Sequence, residues 1–163
     1  MKTKTIRFTS ILLTLLMVFS MVGGAVSPSD FQDFPDDWST EAMTHAVENG
    51  LLAGYADGRI APSAPISRVE MATVLNRAFH AFKEASIQFN DVASSAWYSR
   101  EVAKALALET FLGTSANMFS PNARITREQA FTALARVLKL SQDDVSGLAS
   151  FSDAAQISDW AKP

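Results

Sequence analysis

Two short stretches decide the fold of this 163-residue chain: Ile66-Ser67-Arg68-Val69-Glu70 and Ile125-Thr126-Arg127-Glu128-Gln129. In each, a hydroxyl residue is followed three positions later by Glu or Gln. That pattern marks a capping box: the hydroxyl accepts from the third backbone N–H, and the longer side chain reaches back to the cap's own N–H. Apolar residues follow at helical spacing, namely Met71, Val74, Leu75, Ala78, Phe79 and Phe82 after the first, and Ala130, Leu134, Val137 and Leu138 after the second. Each set forms a broad stripe. Neither helix can bury such a face alone, so the two stripes are expected to pack against each other.

Working outward, the landmarks around these helix starts recur. Phe-x-Asp precedes a tryptophan three times: Phe31 and Asp33 before Trp38, Phe89 and Asp91 before Trp97, Phe151 and Asp153 before Trp160. Counted from Trp38 and Trp97, Gly54 and Gly113 both lie 16 residues on, Pro62 and Pro121 both 24, Arg68 and Arg127 both 30. Without a gap, 38–79 and 97–138 share 10 of 42 positions, concentrated on Trp, Gly, Pro and Arg. Each copy reads as helix, loop, helix. In the first, Ser39 to Asn49 carries Ala42, Met43, Ala46 and Val47 on one face, and Gly50 stops it as a left-handed residue. Gly54, Asp57-Gly58 and Pro62 then mark irregular chain. A third copy opens at Phe151 and is cut off at Pro163. The expected organisation is a leader over 1–25, repeats over 26–80 and 81–140, and an incomplete third over 141–163.

The leader has Lys2, Lys4 and Arg7, an uncharged run from Phe8 to Val22, and Gly23-Gly24-Ala25. That order reads as a secretory signal peptide cleaved after Ala25. The 15 uncharged residues fall short of the roughly 20 a spanning helix needs, and nothing downstream could cross a bilayer. Cleavage takes three of 14 basic residues and none of 17 acidic ones, so the formal charge moves from −3 to −6. Such a surface argues against nucleic acid and anionic membrane as partners. The chain has no cysteine and only His45 and His80, which excludes disulfides, thiolate chemistry and histidine-rich metal sites. Asp33, Asp36 and Asp37 cluster, but no nucleophile elbow, phosphate loop or calcium-hand spacing accompanies them. No catalysis, metal or cofactor is expected here.

The chain resembles the S-layer homology (SLH) family. The residues that carry the likeness are the three Phe-x-Asp…Trp openings, Gly54-Tyr55-Ala56-Asp57-Gly58, Ile60-Ala61-Pro62, Phe119-Ser120-Pro121 and the two capping stretches. Glu109, Asn117 and Gln129 depart from it, standing where the first repeat has Gly50, Gly58 and Glu70. With two glycines lost, a distorted second loop is expected. The resemblance implies an all-α fold, tandem helix-loop-helix repeats around a pseudo-threefold helical bundle. It also implies inter-repeat grooves that bind cell-wall polysaccharide, a secondary wall polymer often bearing pyruvylated N-acetylmannosamine, or a peptidoglycan-linked glycan. The chain would then be a secreted, noncatalytic anchor at the cell wall. Alternatives are a self-assembly module contacting other surface-layer copies, or the anchor of an extracellular enzyme.

By that resemblance, the ligand-binding positions are Asp33, Trp38, Gly54 and Arg68, then Asp91, Trp97, Gly113 and Arg127, with Asp153 and Trp160 from the third repeat. Their chemistry leaves alternatives. An Arg beside a helix start, with backbone N–H groups nearby, can hold a carboxylate, or it can fix a loop through carbonyls. A tryptophan can lie against a sugar ring or staple its helix to the core. The aspartates can bind hydroxyls or cap turns, and the glycines can serve backbone conformation.

Overall fold

The computed structural model describes residues 26–140 and 144–162; the leader over 1–25 lies outside the described residues. Among these, four α-helices are joined by turns and short 3-10 segments, with no strand: α1 Thr40–Glu48, α2 Arg68–Ala78, α3 Ser99–Ala107 and α4 Arg127–Val137. The all-α, helix-loop-helix expectation is met. The chain forms two compact units, one ending at Ile60 and the other beginning at Ala61. This division runs through the first repeat, leaving α1 and its loop in one unit and α2 in the other.

In the unit ending at Ile60, α1 stops where the sequence says it should, at C-cap Asn49 followed by Gly50 with φ +69°. The Phe-x-Asp triplet ties down the loop beyond. Gln32 N–H donates to the Gly58 carbonyl at 3.1 Å, and Asp33 accepts from Ile60 N–H at 2.8 Å. The Phe31 ring fills the space a Cβ on Gly54 would need.

The unit beginning at Ala61 repeats this frame. Asn90 N–H donates to the Asn117 carbonyl at 2.9 Å, and Asp91 accepts from Phe119 and Ser120 N–H at 2.9 and 2.7 Å. Phe89 occupies the Cβ space of Gly113. Glu109 adopts the φ of +59° that Gly50 supplies without cost. Gly113 and Asn117, however, lack the positive φ of Gly54 and Gly58, so the second loop is altered locally while its tie points hold.

Both capping boxes form, with Ser67 accepting from Glu70 N–H and Thr126 from Gln129 N–H. The two stripes meet only in part, sharing one core through Val69, Ala72 and Leu75 on one side and Ala133 and Leu134 on the other. The main helix contact is α2 on α3, through a core that includes Val69, Ala72, Leu75, Val102, Ala105, Phe111 and Phe119, with Ala133 from α4. α2 ends at Ala78, one turn short of Phe82, which is 79% exposed. A His80 residue at φ +50° turns the chain out of helical register. The buried face of α2 includes polar Thr73 and Asn76, which apolar periodicity could not point to. Thr73 donates to the Val69 carbonyl and Asn76 to the Glu101 carbonyl and carboxylate.

Candidate functional site

A groove of about 360 Å³ opens in the Ala61–Pro163 unit. It is lined by Arg68, the 110–114 loop, Gln129, Thr132 and Arg136 of α4, and Trp160. The α4 residues stand three and four positions apart and share a helix face. Trp160 belongs to a 3-10 segment, Asp159–Ala161, whose preceding Ser158 donates through N–H and hydroxyl to the Glu128 carboxylate, both at 3.2 Å.

Arg68 is 6% exposed. Its Nε donates to the Phe119 carbonyl and Nη2 to the Leu112 carbonyl, both at 3.0 Å, and Nη1 reaches the Gln129 amide oxygen at 3.4 Å. Phe111 and Phe119 lie against the guanidinium at 5.4 and 5.3 Å. Burial pushes its pKa below the ordinary value, partly offset by the Asp91 charge. Of the two roles open to this residue, the structure displays carbonyl bonding that fixes a loop. The backbone N–H groups at the start of α2 are also taken. Arg68 N–H donates to Ala123 and Val69 N–H to Pro121, and the cap holds Glu70. The picture of free backbone donors beside Arg68 is therefore corrected.

The groove brings Arg68, Gly113 and Trp160 together and leaves other expected residues outside it. Arg127 is exposed and lies over the Phe131 ring at 5.7 Å. Asp91 stands behind the groove: Phe119, whose N–H it accepts, is the residue whose carbonyl receives Arg68. Trp97 is 69% exposed, packed edge-on against Tyr98, and Asp153 is exposed ahead of a 3-10 turn. In the other unit, Asp33 and Gly54 serve the loop described above, and Trp38 is 93% exposed. The core-staple alternative for Trp38 and Trp97 is thus wrong, because neither indole is covered. Thr132, Gln129 and Arg136 were not singled out as site residues. Thr73/Thr132 and Arg77/Arg136 are nonetheless among the identities between repeats, and a repeated polar pair on an amphipathic helix was the available signal.

The S-layer homology domain profile matches residues 29–72 and 88–131. The chain belongs to the S-layer homology family. It is 32% identical over 151 residues to the Surface-layer 125 kDa protein of Lysinibacillus sphaericus, covering 91% of this chain and 13% of that one. Likeness extends to Exoglucanase XynX of Acetivibrio thermocellus, 28% identical over 81% of this chain and 12% of the relative. A third relative is an Amylopullulanase of Thermoanaerobacterium thermosulfurigenes, 28% identical over 88% of this chain and 8% of the relative. The chain thus spans about a tenth of the length of these relatives. S-layer homology proteins are associated with the cell surface or cell wall, and this family membership places the chain there. Among the described residues, no helix is long and apolar enough to cross a membrane.

Proposed function

We propose that this chain is a noncatalytic wall-binding module that grips an acidic cell-wall glycan in the groove of the Ala61–Pro163 unit and so tethers a longer polypeptide. One observation carries the reading: two arginines and no carboxylate line the groove, in a chain whose acidic residues outnumber its basic ones 17 to 14. A local cationic cleft on an acidic surface selects anions by position, because the overall field repels them. Trp160 adds an indole, half exposed, on which a sugar ring can lie. The ligand favoured by the family resemblance is a pyruvylated secondary wall polymer.

Within this proposal the repeats run 26–80, 81–140 and onward from 141, behind a signal peptide over 1–25. Exposed Trp38 and Trp97 are further sugar-stacking faces. Asp33, Gly54, Asp91 and Gly113 act by shaping the loops, while Arg127 and Asp153 belong to a second surface built with the third repeat.

The experiment is co-sedimentation of the chain with purified wall sacculi, before and after nonpeptidoglycan polymers are stripped. Retention on intact sacculi and release on stripped ones is expected. Retention no better than that of an unrelated acidic protein removes the reading. A second reading, assembly with other copies, draws on exposed Phe131, Leu140 and Phe151. It predicts a stable oligomer in sedimentation velocity without glycan.

A further inference from the structure

The two arginines of the groove are not equivalent. Arg68, which the repeat motif supplies, spends Nε, Nη1 and Nη2 on protein oxygens, leaving two of its five N–H donors. Arg136 is solvent-exposed and its guanidinium makes no hydrogen bond or ion pair among the described residues, yet it lines the same groove. It lies four residues beyond Thr132 and seven beyond Gln129 on α4, on the helix face that lines the groove.

Resting on the wall-glycan reading, we infer that Arg136, rather than the motif Arg68, is the side chain that meets the anionic group of the ligand, and that Arg68 is a positioning residue holding the loop opposite. An uncommitted guanidinium offers its whole planar fork to a carboxylate or phosphate, two parallel N–H···O bonds at once. Arg68 is 6% exposed and keeps one N–H on each terminal nitrogen, and it cannot turn its fork toward a ligand without releasing the Leu112 or Phe119 carbonyl, each of which would then lose its partner. Its remaining contribution is charge beneath the ligand. Gln129 fits this division of labour. A glutamate at that position would set a carboxylate against Arg68 and cancel that charge, whereas the amide oxygen accepts from Nη1 and leaves it in place.

The test measures binding of the full chain to polysaccharide released by acid from Lysinibacillus sphaericus walls, by calorimetry, alongside the same polymer with its carboxylates reduced. Arg136→Ala and Arg136→Gln should each weaken binding about tenfold or more, with the melting temperature unchanged, and Arg136→Lys should recover part of the loss. Wild type on the reduced polymer should fall to the level of Arg136→Ala if the recognised group is a carboxylate. Undiminished binding there, still lost on Arg136→Ala, supports the same contact with phosphate as its partner. Wild-type binding that both Arg136 variants keep within about twofold overturns the inference and leaves the wall-glycan reading intact. No binding by wild type removes both.

Discussion

Arg68 and Arg127 occupy the same position of the same motif, each directly after a capping residue, at the first turn of an 11-residue helix. Their fates differ. Arg68 is enclosed by two carbonyls and two phenylalanine rings contributed by the following repeat, while Arg127 lies on the surface over one exposed ring. Arg68 and Val69 N–H groups meet the Ala123 and Pro121 carbonyls; those of Arg127 and Glu128 make no such bond among the described residues. Local sequence therefore sets the helix start and its cap, and the neighbouring repeat decides what the arginine does. Arg68 is thus a docking point for the next loop, and Arg127 is not.

The largest test of that contrast is stability. Arg68→Ala should cost about 2–4 kcal/mol, because two carbonyls and a desolvated cavity lose their partner. Arg127→Ala should stay within about 0.5 kcal/mol. Urea unfolding of both variants measures the difference, and equal losses would break the comparison. Next comes the aspartate behind the site. Asp91→Asn exchanges one accepting oxygen for a donor facing the Phe119 or Ser120 N–H, an expected loss of about 1–3 kcal/mol with a weakened groove.

A pH effect follows at the α2–α3 contact that holds Arg68's helix. Burial pushes the Glu101 carboxyl upward, but hydrogen bonds from Lys104 and Asn76 together with the Lys104 and Arg77 charges outweigh it and leave the pKa below the ordinary 4.5. A carboxyl whose folded pKa is depressed contributes stability that is complete above its unfolded value and fades as pH falls through the folded one. Melting temperature should therefore drop below about pH 4.5, and Glu101→Gln should shallow that drop. An identical acid profile for the variant would assign the effect elsewhere. The smallest effect concerns the two helix ends. Glu109 holds a left-handed φ that Gly50 adopts freely, so Glu109→Gly should gain up to about 1 kcal/mol, and Gly50→Glu should lose a similar amount.

The parts of this fold encoded within a few residues were readable in advance. The caps at Ser67 and Thr126 and the stop at Gly50 each depend on contacts inside one segment, and the repeated Phe-x-Asp was legible as a recurring motif although its bonds reach a loop some way down the chain. What escaped depends on contacts between segments. Phe79 and Phe82 extend the apolar stripe of α2 on paper, yet the helix ends at Ala78, and its buried face takes in Thr73, which bonds back to the Val69 carbonyl of its own helix, and Asn76, for which Glu101 of α3 offers its carbonyl and carboxylate. The same holds at the site. Arg68, Gly113 and Trp160 were named in advance from the motif. Arg136 and Thr132 were not, because a groove wall is defined by the loop facing it. The tryptophans teach the reverse lesson, since proximity to a helix start did not bury Trp38 or Trp97.

Mapping backbone and indole NMR shifts while acidic wall polymer is added tests the central claim most directly. Perturbations should gather on the 110–114 loop, Gln129, Thr132, Arg136 and the Trp160 indole, and weaken as salt is raised. Shifts confined to the exposed apolar side chains Phe131, Leu140 and Phe151, with the groove silent, would contradict it.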